Sequence, residues 1–368
     1  MCLGEKSMDL KEKIEKLPSS PGVYLMKDSL NSVIYVGKSK NLKSRVASYF
    51  QNSRSHTPKV LKLVKNLRDF DYILTDTEFE ALMLECKLIK QIKPIYNRQM
   101  KNTQSYCYIK INQKYPDIKI SNEYVKNDGN LYFGPYSSRN TVERGIQGIK
   151  ECCKIFCSNN FQKASCCLNY SLGLCLGMCL GSTEKKQYSS IFDKIINLLN
   201  GTDKSIIEEM EYNMNKASEK FNFESAAKYR DYISAVNYLL NKAKISKFTK
   251  KNKNIALLEY LEYNSVKFFL IKGNKVIFSK KCYLENINFQ KLKSFLKSNI
   301  LFYFNNKTIK KSTELHKEKM DESQIIYSYL KSKSVNRTYI VISSKWLNNP
   351  NDTSIDKAIN KLLFSISH

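Results

Sequence analysis

One segment constrains this chain more than any other: residues 78–92, where a carboxylate falls inside the apolar arc of an expected helix. Thr77-Glu78-Phe79-Glu80 fits a capping box, in which a threonine caps the helix start and a glutamate three residues on reaches back. At 100° per residue, Ala81, Leu82, Leu84, Leu88, Ile89 and Ile92 gather on one side, with Glu85 in their midst. A carboxylate buried there is costly unless a cation or strong donors meet it. A metal ion is one such partner. A structural ion pair with Lys38 or Arg45 is the other, and helix geometry leaves the two level.

The residues before this helix supply candidates for a common surface. Gly22-Val23-Tyr24 opens a β-like run, Ile34-Tyr35-Val36-Gly37 is a second, and the polar residues 27–32 between them suit a hairpin. Lys38 follows at once. Asn41 then fits the N-cap of a helix carrying Arg45 and Tyr49, which share a face at i and i+4. Tyr24, Tyr35, Lys38, Arg45 and Tyr49 can therefore converge.

Charge narrows the partner. Lys and Arg number 61 against 34 Asp and Glu, a formal net charge of +27. Such an excess concentrates polyanions near the surface, with nucleic acid first among them. A Lys-, Ile- and Asn-rich composition produces the same excess without that partner, and charge names no chemistry. Residues 1–17 contain no apolar run fit for a signal peptide, and no stretch approaches the roughly 18 apolar residues of a membrane span. The expectation is a soluble cytoplasmic protein without a membrane partner. In that compartment its eleven cysteines are not expected to form structural disulfides.

Four stretches differ in character. Residues 16–100 alternate β-like runs with amphipathic helices. Residues 101–180 join a strand-rich extension (106–111, 117–121 and 131–133) to a segment holding seven of the cysteines, from Cys152 to Cys179. Residues 181–245 read as two long helices, and a basic linker follows over 242–253. Residues 250–368 begin a new β-rich region: a strand over 266–271, a turn at Gly273-Asn274, a strand over 276–278 and a last one over 338–343. A polar loop is expected over 305–319. The fold class is α+β, with small antiparallel sheets flanked by helices.

Six separated blocks, in order, carry a family resemblance. Pro21-Gly22-Val23-Tyr24, Tyr35 to Leu42, Arg45-Val46 with Ser48-Tyr49-Phe50, Glu80 to Glu85, Leu88-Ile89-Lys90 and Pro94-Ile95-Tyr96-Asn97 together resemble the GIY-YIG nuclease domain of the UvrC family, the incision component of excinuclease ABC. The resemblance implies a DNA-repair endonuclease that hydrolyses a phosphodiester on the 3′ side of a lesion in damaged double-stranded DNA. It implies Glu85 as the sole protein ligand of one Mg²⁺ or Mn²⁺ ion, which keeps most of its waters. Tyr35 would be the general base, with Lys38 favouring its phenolate, and Arg45 a planar donor fork for phosphate. Tyr24 and Tyr49 would position water and phosphate, and Asn97 would support the site.

Cys157-x9-Cys167-x7-Cys175-x3-Cys179 offers four thiolates without the paired knuckles usual in structural zinc. Soft thiolates suit an iron–sulfur cluster or zinc. Cys167-Leu168-Asn169-Tyr170 and Gly173 to Cys179 resemble the same family's cluster-binding stretch, which implies a [4Fe–4S] cluster with Zn²⁺ as the alternative. Met178 stands where that family has proline. Cys152, Cys153 and Cys166 are spare, and small apolar packing accounts for them. Residues 210–240, with Phe221-Asn222-Phe223, resemble a UVR motif (about 203–238): two short helices meeting at Asn222. The resemblance implies docking to UvrB, the damage-loading helicase of excinuclease ABC, with Phe223 and Tyr229 as anchors.

The likeness is close over 16–245 and faint from 250, where a remnant of the family's RNase H-like domain is the expectation. The tail echoes an Asp-x-Ser-His block with Ser365 in the aspartate's place, and Asp321, Glu322, Asp352 and Asp356 read as solvated loop charges. A shortened member with one nuclease centre is expected. The competing readings are a non-catalytic adaptor and a mobile-element GIY-YIG protein; the latter does not account for the cysteines or the hairpin.

Overall fold

The computed structural model describes residues 4–51, 56–97, 106–112, 117–157, 167–177, 184–285, 288–305, 320–332, 334–347 and 353–364. Residues 1–103 and 248–368 form one compact unit, and residues 104–247 form a second. Among the described residues no helix is long and apolar enough to cross a membrane.

The first unit begins with α1 (Gly4–Glu15), β1 (Gly22–Lys27), β2 (Val33–Ser39), α2 (Leu42–Ala47), α3 (Pro58–Asn66), β3 (Asp69–Leu74) and α4 (Glu78–Ile92). The expected hairpin forms: β1 and β2 pair antiparallel with Tyr24 opposite Gly37 and Met26 opposite Tyr35. Asp28 closes its turn by accepting from the Leu30 and Ser32 N–H groups. Asn31 there is left-handed at φ 60°, a conformation its short polar side chain tolerates. Strand β3 adds on the far side of β1. Asn41 caps α2, its Oδ1 accepting from the Ser44 N–H at 3.0 Å. Helix α4 has the expected bounds. Thr77 Oγ1 accepts from the Glu80 N–H at 3.1 Å, while Glu80 reaches one residue further than a capping box requires, to the Asp76 N–H.

The second unit comprises β4 (Cys107–Asn112), β5 (Asp117–Ser121), β6 (Asn130–Tyr136), α5 (Arg139–Cys152), α6 (Leu168–Ser171), α7 (Glu184–Asn200), α8 (Ser205–Glu219) and all but the last three residues of α9 (Phe223–Lys250). The three strands lie where expected, in the order β5-β4-β6. Three helices, not two, follow the cysteines. The basic linker is corrected as well: α9 runs through it to Lys250, and Lys242 is buried with its ammonium over the Tyr238 ring. Lysine content suggested a linker, yet long aliphatic stems pack on a helix while their heads find partners. Helix α5 had a signal in Val142, Ile146 and Ile149, which enter one core with Ile109, Ile195, Met210 and Leu239. It lies so close to α9 that a Cβ on Gly148 would stand 2.7 Å from the Tyr232 Cβ.

The chain returns to the first unit through β7 (Asn254–Leu261), β8 (Ser265–Lys272), β9 (Lys275–Tyr283), α10 (Phe289–Asn305), α11 (Met320–Lys331), β10 (Arg337–Ile342), α12 (Ser344–Leu347) and α13 (Thr353–Phe364). The β8–β9 hairpin turns at Gly273, φ 60°, where glycine carries no steric penalty. Strand β7, missed in the sequence, pairs β8 to give an antiparallel sheet of order β10-β7-β8-β9. Ala256, Leu258, Phe268 and Leu270 pack on one side with Leu296 and Ile359 of α10 and α13. Ile255, Leu257, Phe269 and Ile271 pack on the other with Ile326 and Tyr329 of α11, and with Phe79 and Cys86 of α4. The expected loop over 306–319, Asp352 and the tail from Ser365 lie outside the described residues. Asp321, Glu322 and Asp356 are not loop charges: they open α11 and α13 and pair with Lys90, Lys293 and Lys297.

Helix α4 therefore serves two sheets. Ala81 and Ile89 cluster with Val23 and Val36 of β1 and β2, and Phe79 and Cys86 cluster with β7 and β8. The single apolar arc read from the sequence is wider than drawn, and Ile92, placed inside it, is 39% exposed.

Candidate active site

Three tyrosines from separate elements meet over the hairpin. Tyr24 of β1 and Tyr49, just past α2, share a hydroxyl–hydroxyl hydrogen bond of 2.8 Å. The Tyr35 ring centroid lies 6.1 Å from that of Tyr24 and 6.5 Å from that of Tyr49. Gly37 permits this, because a Cβ there would overlap the Tyr24 hydroxyl. Arg45 is exposed; it donates to the Tyr49 hydroxyl at 3.4 Å and lies 5.1 Å from that ring's centre. Burial, then Tyr49 and Glu85, push the Tyr35 phenol well above its ordinary range, while Arg45 acts the other way. Tyr24 is raised too, mainly by burial.

Glu85 joins this group through backbone. Its Oε1 accepts from the Lys38 N–H at 3.0 Å, and burial raises its carboxyl against that bond and the charges of Lys38 and Arg45. The ion pair that the sequence left open does not form: the Lys38 ammonium goes to Glu78 at 2.5 Å, and Arg45 goes to tyrosine. Among the described residues Glu85 makes no ion pair. A half-buried carboxylate held by one N–H and facing no bonded cation fits a hard divalent ion.

Asn97 stands apart from the tyrosine group. Its amide brackets Val36, Oδ1 accepting from the Val36 N–H at 2.9 Å and Nδ2 donating to the Val36 carbonyl at 2.8 Å. It fixes β2 beside Tyr35. Two residues were missed: Glu78, named only within the capping segment, and Lys59, whose ammonium lies 5.9 Å from the Tyr35 ring centre. Local pattern gave no sign of either contact.

In the second unit, the sulfurs of Cys157, Cys167 and Cys175 lie within 4.8 Å of one another. Ile155 bridges to Cys175, and the Gly177 N–H donates to the Cys175 sulfur at 3.4 Å. Three close thiols with an N–H on one of them fit a soft metal centre. Cys166, Met178 and Cys179 lie outside the described residues. Cys152 and Cys153 take the packing role; burial pushes the Cys153 thiol up to about 12. At the α8–α9 turn, Asn222 Oδ1 accepts from the Ser225 N–H, and Phe223 is 66% exposed. Tyr229 departs from expectation. It packs against the unit's core, and Phe221, 80% exposed and 6.3 Å from Phe223, shares the tip instead.

Residues 20–98 match the UvrC-like GIY-YIG domain, residues 106–198 the UvrC/Cho excinuclease middle domain, and residues 204–239 the UvrB/uvrC motif. The UvrABC system protein C of Clostridium perfringens is 38% identical over 347 residues, 92% of this chain. That of Clostridioides difficile is 35% identical over the same length and share. The chain belongs to the UvrC family. It spans about half the length of these curated relatives, 56% and 57%. Alignments of 347 residues carry the likeness past residue 245, where the motif blocks fade. The GIY-YIG N-terminal endonuclease domain of UvrC from Thermotoga maritima, bound to magnesium, is a similar solved structure. It is 36% identical, covers 24% of this chain and 97% of its own, and has a TM-score of 0.23. All seven candidate nuclease residues fall in the first matched UvrC segment, the four cysteines in the second, and Phe223 in the third.

Proposed function

We propose that this chain carries the incision centre of a cytoplasmic nucleotide-excision-repair nuclease, cutting damaged double-stranded DNA on the 3′ side of a lesion. The observation that carries this reading is Glu85. It is a half-buried carboxylate whose expected cationic partners are engaged elsewhere, beside a tyrosine–arginine group fit to handle a phosphate. Glu85 would hold one Mg²⁺ or Mn²⁺. When bound, the ion polarises the scissile phosphate and stabilises the departing oxygen.

The chain's own groups divide the remaining work. Tyr35, as the phenolate, accepts the proton of the attacking water at its oxygen; burial opposes that form, and the nearby, exposed Arg45 favours it. The Arg45 fork holds a non-bridging phosphate oxygen. The Tyr24–Tyr49 hydroxyl pair orients that fork and the water. Lys38 positions Glu85 through its N–H, and its ammonium is held at Glu78. Asn97 holds Tyr35 through the Val36 backbone.

Cys157, Cys167, Cys175 and Cys179 would hold a metal centre, a [4Fe–4S] cluster by our reading. Zinc is the second reading on a specific observation. Zn–S bonds of about 2.3 Å set thiolates roughly 3.8 Å apart, within the 4.8 Å spread found, and a four-iron cubane sets them wider. The exposed Phe221 and Phe223 would dock on UvrB of the excinuclease ABC system. The test is incision of a pre-nicked damaged duplex, loaded by the partner proteins, in Mg²⁺. A cut on the 3′ side is expected; a bound but uncut duplex would favour a non-catalytic adaptor.

A further inference from the structure

Helix α4 is gripped from its outer side at both ends. At its start, Lys267 of β8 reaches Asp76 Oδ2 at 2.5 Å and Glu80 Oε1 at 2.7 Å, with its side chain only 9% exposed. Lys281 of β9 adds a 3.5 Å contact to Asp76. In the same first turn, Phe79 stacks on Tyr329 at 4.6 Å and meets Phe269 edge-on at 5.2 Å. At its end, Lys90 pairs with Asp321 and Glu322 of α11.

The grip at the start connects to the nuclease centre through one residue. Glu78 lies in the same first turn as Glu80 and holds the Lys38 ammonium. Lys38 in turn gives its N–H to Glu85, about two helical turns beyond Glu78. The end of β2 is thus pinned to α4 at two points, and the placement of the first turn sets the second. Without Lys267, Asp76 keeps the longer contact to Lys281 while Glu80 loses its cation with Glu78 and Glu259 near, and like charges there push the turn apart.

We infer that Lys267 is a positioning residue of the nuclease centre, fixing from the C-terminal sheet the turn that aligns Glu85 for its divalent ion. This rests on Glu85 as the metal ligand. Partners that orient a ligating carboxylate typically affect metal affinity about 10–100-fold when removed.

The test is Mn²⁺ binding to the full chain followed by electron paramagnetic resonance, alongside the Mg²⁺ dependence of incision. Lys267→Met is expected to weaken Mn²⁺ binding about tenfold and raise the Mg²⁺ requirement equally, and Lys267→Arg to restore most of both. Lys90→Met, which loosens the same interface at the other end of α4, should leave Mn²⁺ binding unchanged. Glu80→Gln, which keeps the lysine paired to Asp76, should show a smaller loss and decides the matter if Lys267→Met does not fold. Wild-type Mn²⁺ affinity in the folded Lys267 or Glu80 variant would overturn the inference, as would an equal loss in Lys90→Met. Should the wild type bind no Mn²⁺, or Glu85→Gln bind it as tightly, the nuclease reading itself falls.

Discussion

The tyrosine-rich centre of the first unit and the cysteine cluster of the second solve opposite problems. The first gathers residues spread from Tyr24 to Asn97, and most of its polar groups are satisfied by one another: tyrosine by tyrosine, Lys38 by Glu78, Asn97 by Val36. Glu85 is the exception. The second gathers three sulfurs from nineteen residues of sequence, Cys157 to Cys175, and among the described residues their apolar cluster holds those cysteines alone. On the proposed reading, the first is a packed domain that would present one ligand to an ion, and the second would lean on its ion for shape. Removing the metal should leave the first folded and unsettle the second.

The largest effect expected on that contrast is chemical. Tyr35→Phe should slow incision by about 10²–10³-fold, the worth of a general base, with duplex binding and thermal unfolding unchanged. Near wild-type turnover by Tyr35→Phe would assign the base elsewhere. Next is the loss of thiolates. Cys175→Ser with Cys179→Ser should destabilise the second unit by about 4 kcal/mol, the scale of losing a metal site, and remove any visible absorbance of anaerobic protein. Melting in two steps, with the 1–103 and 248–368 unit unshifted, checks this; an unchanged first step would make the cluster dispensable.

The smallest effect carries the opposite sign. In chelator, Glu85→Gln should stabilise the first unit by about 1 kcal/mol, because the wild type holds a half-buried charge without an ion-pair partner and glutamine still accepts the Lys38 N–H. Calorimetry reads it. Mn²⁺ should raise the wild-type melting temperature and leave the variant alone; a variant less stable than wild type in chelator would mean Glu85 is a structural residue.

How far the sequence was legible follows from the range of each interaction. Helix α4, its Thr77 cap and the β1–β2 hairpin were readable because caps, turns and periodicity are local. The seven candidate residues were readable as an ordered set of blocks. The direction of the Lys38 ammonium was not, since Glu78 stands forty residues away in sequence and entered only as part of the capping segment. Residues 254–261 form a strand buried over its first five residues, and the short apolar run from Ile255 to Leu258 does not declare its period. Phe79 and Cys86 lay outside the drawn arc because nothing nearby announced that α4 would serve a second sheet. The inward packing of Tyr229 was hidden for a related reason: an aromatic on an amphipathic helix does not reveal which neighbour it meets.

The measurement closest to the central claim is cleavage by Glu85→Gln. On a pre-nicked damaged duplex loaded by the partner proteins in Mg²⁺, wild type should cut on the 3′ side of the lesion. The variant should bind the same duplex with unchanged affinity and cut at least ~10³-fold more slowly, since it loses the proposed ion's only protein carboxylate. Cutting by Glu85→Gln at the wild-type rate would contradict the account.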